Sequence, residues 1–556
     1  MWYALLLGDG SICERTSTLH TNLDRPMFHF RSATILVAFV LSCATLFAQG
    51  DKTRLRVRMG MEGEGDARLA PVTLLKTSAN GLLVQRQEVE ADGVVKGRLD
   101  LYDRAKLGFL RTQPPVEKLP SGLKLVPDRA IVFAGRTVMV ARNQAAGATG
   151  LYYQVLDPNI TRLPAPYEPL CSWPVALPAA TAAESASFDY HYSPDSALLL
   201  LRSPMVPVQG GYKAMLGLVG KDMQVRWQQA VSGAEKSIRS AVLDAAVDTS
   251  GTAYVLVSDR SARAEVVDGR PTVSITLHRI GKNSTSVVVP LSHDQFLTHA
   301  ILRQLPGGRI AVCGVYGTID TDRVKTEGDM IAVIGPDGSI GEPMLIAHAE
   351  ENGLIAEGEP KPAQGQKFTE KDTERLMTGI RLVDVLPRKD GGFFLVKELY
   401  FMESYFDLKD KRTMNRYIHG PVLATAVDKS GGVQWNSLFR RWYQSASPAL
   451  GDVLCGAFSD ELFLFLMDSE QMAGLRKAGG KMTVGMMEDP YSAHIAFDGK
   501  GVSKVKPVLK GANETGYICG QQLYRVGPAE YYTFGSEKPD GGRYLPVRID
   551  LTSETK

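Results

Sequence analysis

Residues 219–227 read V-G-K-D-M-Q-V-R-W, and residues 427–435 read V-D-K-S-G-G-V-Q-W. The first Val, the Lys, the second Val and the Trp coincide. Residues 334–342 (I-G-P-D-G-S-I-G-E) and 101–109 (L-Y-D-R-A-K-L-G-F) keep the same spacing of apolar positions. Each stretch reads as a strand, a tight polar turn and a second strand with alternating side chains. A second signal alternates with the first. It is a turn followed by a very apolar strand, as in 386–396 (L-P-R-K-D-G-G-F-F-L-V), 305–312 (L-P-G-G-R-I-A-V) and 193–201 (S-P-D-S-A-L-L-L-L). Continuous apolar runs of this length suit strands buried on both faces.

Pairing the two signals gives units near 70–115, 120–165, 187–231, 240–288, 298–346, 381–440, 453–509 and 520–551. A four-stranded sheet cannot bury both of its faces alone, whereas radial stacking of such sheets does. The expected fold is all-β: a single β-propeller of seven or eight four-stranded blades. The first unit is the weakest, and residues 54–59 could close the ring as a strand of the last blade. Stacked sandwiches would need units about twice as long. Two insertions interrupt the pattern, a polar loop at 350–378 and an extended hairpin at 402–419. The best helix candidate is 369–377.

Composition agrees with a large folded body. Of 556 residues, 44% are apolar and 22% charged, near the globular average. A net charge of +2 gives no bulk attraction to nucleic acid, and no nucleic-acid partner is expected. The one long apolar run, 33–48, follows His29 and Arg31 and ends in small residues before Asp51, the pattern of a secretory signal. That signal starts naturally at Met27. Residues 1–26 carry Asp9, Glu14, Asp24 and Arg25 and read as an over-called start, with 27–49 as signal peptide and 50–556 as the propeller. Cleavage near Ala48 would release a soluble periplasmic or secreted protein. The alternative is an outer-membrane lipoprotein, because Leu41-Ser42-Cys43 fits a bacterial lipobox with Cys43 as the lipid anchor. A monomer is expected.

Six cysteines, two of them in the leader, are too few for a disulfide framework, and no C-x-x-C occurs. Cys455 and Cys519 sit in similar settings, V-L-C-G and Y-I-C-G. Buried free thiols are the expectation there, and a bridge is the alternative.

The segment 391–435, G-G-F-F-L-V-K-E-L-Y-F through V-D-K-S-G-G-V-Q-W, resembles exported propeller-like proteins of Bacteroidota. A buried strand leads there into a long aromatic hairpin and then a D-x-x-G-x-x-x-W turn. The resemblance runs on through 460–468 (D-E-L-F-L-F-L-M-D). It implies a fold and a compartment and supplies no catalytic residues. The A-V-D-K-S-G-G-V-Q-W element is also similar to the repeat of pyrroloquinoline-quinone propellers. It is one residue short of that repeat and has Gly where Thr is expected. No cofactor is expected.

Catalytic motifs are missing. The chain has no G-x-S-x-G elbow, no H-E-x-x-H and no phosphate loop. The run 60–65 (G-M-E-G-E-G) carries acids where a phosphate would need bare N–H groups. Seven histidines follow the leader, and only His293 and His299 are close in sequence, too far apart for a convincing metal pair. No metal site is expected; Met467, Met472, Met482, Met486 and Met487 read as core filling. Asp189 and His191, in D-Y-H-Y, alternate on one strand face and could form a base with an orienting acid. The best binding candidates lie on the hairpin: Tyr400, Phe401, Tyr405, Phe406 and Tyr417 beside Arg412 and Arg416, with Trp442 and Tyr443 following. Aromatics with Arg suit protein interfaces and sugar rings.

The sequence favours a non-catalytic binding or scaffold module for a protein or glycan of the cell envelope. The alternative is a hydrolase or lyase acting on polysaccharide or peptidoglycan at the propeller axis. Acids from different blades meet only in three dimensions, so spacing along the chain is silent on this choice.

Overall fold

A computed structural model describes residues 52–554 apart from short stretches, the longest being 61–69, 90–94, 115–123, 176–187, 290–294, 348–378, 446–451, 480–488 and 510–515. The leader with Cys43, the 350–378 insertion with the expected helix at 369–377, His293, and Met482, Met486 and Met487 lie outside the described residues.

Eight antiparallel sheets of four or five strands follow one another along the chain, with a small two-stranded ribbon, Val266–Val267 and Arg270–Pro271, beside the fourth. Blades 1 to 8 begin with the strands Ala70–Lys76, Val126–Phe133, Asp189–Tyr192, Ser237–Val247, Gln295–Leu305, Ile380–Pro387, Leu454–Phe458 and Tyr517–Ile518. The chain is therefore an eight-bladed β-propeller, which decides between the two expected counts. Strand Lys52–Met59 pairs with the last strand, Tyr544–Glu554, as the outermost strand of blade 8, so the ring closes with chain from both ends. Gly60 N donates to Pro546 O at 2.8 Å beside that pairing.

The first strands of neighbouring blades pack against one another, which places them nearest the axis. Five of these inner strands carry a β-bulge: between Pro71 and Thr73, Pro127 and Arg129, Val242 and Asp244, Leu297 and His299, and Leu382 and Asp384. An extra residue kinks a strand and re-aims its side chains, a feature frequent beside functional sites.

The repeated turns account for the opening sequence pattern. Asp428 Oδ1 accepts from Ser430 N at 2.8 Å and Gly432 N at 2.9 Å, which fixes the turn. Trp435 then crosses to blade 7, stacks on Phe497 with centroids 6.0 Å apart and covers Gly501. Trp227 makes the equivalent crossing, its Nε1 donating to Gly251 O at 3.2 Å in blade 4. The apolar second strands fill the spaces between blades: Leu199, Leu200 and Leu201, or Phe393, Phe394 and Leu395, are all buried.

Helix Glu470–Lys477, the one helix among the described residues, lies between the second and third strands of blade 7. Ser469 caps it by accepting from Met472 N at 3.2 Å. The cap, Glu470 in the first turn and Arg476 and Lys477 in the last were readable signals, but the helix was not expected from the sequence. No helix among the described residues is long and apolar enough to cross a membrane.

Candidate functional site

The inner strands bring charged residues of different blades together around the axis. Asp244 in blade 4 and Asp384 in blade 6 each follow a bulge. Arg303 of blade 5 bridges them. Its Nη2 and Nε donate to Asp384 Oδ1 at 2.8 and 3.1 Å, and its Nη1 lies 3.9 Å from Asp244 Oδ2. Backbone amides fix both carboxylates: Ala245 N and Leu302 N donate to Asp244, and Val385 N donates to Asp384. Burial raises the Asp244 pKa, and Arg303 opposes that rise. Arg303 stands on an innermost strand and keeps 39% side-chain exposure, so part of its side chain meets solvent. A second polar chain joins blades 1 to 3. Gln85 Nε2 donates to Asp128 O at 3.1 Å, and Tyr190 OH donates to Asp128 Oδ2 at 2.6 Å.

Blade 3 contributes D-Y-H-Y. Asp189 does not orient His191. Its carboxylate is taken by Arg202, its cross-strand neighbour in register. His191 Nε2 is buried without a hydrogen-bond partner. Burial, reinforced by the fields of Arg202 and Arg303, pulls the imidazole down to about 3, so it is neutral at ordinary pH. Tyr192 is 37% exposed, and burial of its hydroxyl pushes the phenol up to about 12. His191 and Tyr192 are consecutive on one strand and point to opposite faces: Tyr192 lies against Phe133 of blade 2, with centroids 6.3 Å apart, while His191 lies in the fields of Arg202 and Arg303.

A second charged cluster lies under the long hairpin, formed by strands Phe393–Asp407 and Arg412–Val427. A bulge between Glu398 and Tyr400 brings Glu398 and His419 together. Glu398 Oε1 meets His419 Nδ1 at 3.0 Å and accepts from Arg441. Its Oε2 accepts from Arg381 at 2.6 Å, and Arg381 also reaches Asp452. Burial alone would raise the Glu398 pKa, but His419, Arg441 and Arg381 hold it at about 2. Glu398, His419 and Asp452 have ligand atoms within 4.8 Å of one another, the spacing of a metal site. Two guanidiniums already supply the countercharge there, so the cluster fits a structural ion network rather than a cation.

The hairpin residues divide. Tyr400 holds Arg381 over its ring at 3.8 Å and packs on His419 with centroids 5.1 Å apart. Arg416 and Tyr417 are half-buried. Trp442, 1% exposed, and Tyr443 belong to the core, so they anchor the hairpin rather than offer rings to a ligand. The side chains of Phe401, Tyr405, Phe406 and Arg412 lie outside the described residues. His299 is exposed, Met467 and Met472 are buried, and Cys455 and Cys519 are buried free thiols, not a bridge.

No family model matches the chain, and no curated relative matches it. Among solved structures it is similar to the polysaccharide lyase Uly1, at 9% identity and a TM-score of 0.36, covering 90% of this chain and 92% of the other. An α-L-arabinanase of Penicillium chrysogenum matches at 10% identity and a TM-score of 0.29, covering 78% and 96%. Cobalt-substituted apocarotenoid oxygenase of Synechocystis matches at 10% identity and a TM-score of 0.31, covering 90% and 94%. Likenesses this distant say nothing of activity.

Proposed function

We propose that this propeller acts on an acidic polysaccharide of the cell envelope, binding a uronate-bearing strand at its axis and cleaving it by β-elimination. The observation that carries the reading is His191, kept neutral by burial and by the fields of Arg202 and Arg303, with Nε2 buried and unpartnered. Elimination needs a base for the proton beside the sugar carboxylate, a countercharge for that carboxylate and an acid for the leaving oxygen. His191 Nε2, covered in the free protein, is uncovered by the arriving strand and takes the C5 proton. Arg202 and Arg303 turn from Asp189 and Asp384 towards the carboxylate as charge builds on it. The C4–O4 bond breaks, its oxygen takes a proton from a water molecule entering with the strand, and a C4=C5 double bond remains. A bound carboxylate also cancels the guanidinium fields on His191 and raises its basicity when substrate is present. The envelope setting rests on the apolar leader with its basic flank.

The test is to incubate the protein with polygalacturonate, alginate or glucuronan and follow the ultraviolet absorbance of the unsaturated product. The expected result is absorbance growth that falls by about 10²–10⁴ in His191→Ala, with binding retained. Reducing ends without absorbance would overturn elimination in favour of hydrolysis by the Asp244–Asp384 pair. Binding with no cleavage would leave a non-catalytic glycan module.

A further inference from the structure

A groove of about 620 Å³ lies on the outer flank between blades 6 and 7, lined by strand Val433–Phe439, helix Glu470–Lys477 and strand Ser503–Val508. That volume is ordinary for a small-ligand site. Its lining includes Arg440, Arg476 and Lys477 and no acidic residue, in a chain whose net charge is only +2. Asn436, Ser437 and Ser503 add neutral donors and acceptors.

Arg476 is fixed before any ligand arrives. Both of its terminal nitrogens donate to the buried Asp468 carboxylate, its Nη1 also reaches Arg440 O at 3.1 Å, and its guanidinium stacks on Phe439 at 4.4 Å. Asp468 offsets most of the Arg476 charge, so Arg476 stiffens the groove wall and the attraction for a carboxylate or sulfate falls to Arg440 and Lys477. Lys477 is exposed in the last helical turn.

We propose that this groove is a binding site for an acidic glycan chain, separate from the axis. Its anionic groups meet Lys477 and Arg440, while a ring face lies against Leu438 and Val505, the latter 36% exposed. An acidic peptide adding as a strand is the competing occupant. The free edge of Ser503–Val508 disfavours it, because Lys504, Lys506 and Pro507 are residues that block strand addition. The flank site stands whether or not the axis is catalytic.

The experiment measures binding of long polygalacturonate at low salt to the wild type and to Arg440→Gln/Lys477→Gln, each also carrying His191→Ala so that no substrate is consumed. The double substitution is expected to weaken binding about three- to tenfold, from two ion pairs of modest strength. Elimination of a trisaccharide, read in the chains with His191 intact, is expected to stay unchanged. Dextran should not bind the groove. Equal affinity in both chains overturns the proposal, as does polyglutamate binding that the double substitution weakens more than it weakens polygalacturonate binding. Loss of cleavage in every chain, with the affinity difference kept, sinks only the axial reading. A matching melting temperature confirms that the double variant is folded.

Discussion

His494 sits between Phe463 and Phe465, with ring centroids 6.2 and 5.2 Å away, and neither of its nitrogens has a hydrogen-bond partner. Burial, helped by Lys506, lowers its pKa to about 4 from an ordinary 6.5. The unfolded chain therefore binds the proton first. Stability from this group is complete above pH 6.5 and is lost as pH falls towards 4, by on the order of 3 kcal/mol. His191 adds to the same acid-side loss. Urea unfolding across this range is expected to lose much of its slope in His494→Leu, and an unaltered slope would refute the assignment. Sequence could name His191 and His494 but not their surroundings. Asp189 looked like the partner of His191 because both alternate on one strand. The cross-strand register hands Asp189 to Arg202 instead, a pairing decided by the neighbouring strand.

At the level of elements, the D-x-x-G-x-x-x-W turn was legible because its requirements are local. An Asp binds its own turn, and a glycine takes a left-handed backbone. Why the Trp recurs was not legible, since its partner lies in the next blade. Gly501 has φ +78°, and a Cβ there would come within 2.7 Å of the Trp435 ring. Gly431 has φ +97° with open space around it. Gly431→Ala should cost about 1–2 kcal/mol, from backbone strain alone. Gly501→Ala should cost more, on the order of 3 kcal/mol, because overlap with a stacked indole adds to that strain. Denaturant midpoints of the two variants separate the contributions, and equal losses would show that Trp435 yields freely. The helix Glu470–Lys477 went unseen for a different reason. Eight residues are too few for periodicity to stand out, and its signals were confined to the cap and the end charges.

For the whole molecule, the repeat arithmetic placed eight units, and the ring has eight blades. The axial site escaped the same reading. Asp244, Arg303 and Asp384 are adjacent only because blades 4, 5 and 6 meet at the axis, Arg303 and Asp384 being 81 positions apart in the chain. Ring closure rests on strand Lys52–Met59. Removing 52–59 should bare the backbone edge of Tyr544–Glu554, lower the melting temperature and produce concentration-dependent self-association. Sedimentation of the shortened chain tests this. A monomer as stable as the full chain would mean that the last blade tolerates an open edge.

That closure also sets an order in time. Arg58 and its partner Asp550 are 492 positions apart. At roughly 5–20 residues per second of synthesis, the early strand waits on the order of 25–100 s before its partner exists. Throughout that interval the nascent chain carries an unmatched strand at one end and an unfinished ring at the other. Strand Tyr544–Glu554 is the one that turns a row of sheets into a closed body, so a pause or truncation before it leaves a sticky arc rather than a slightly smaller propeller.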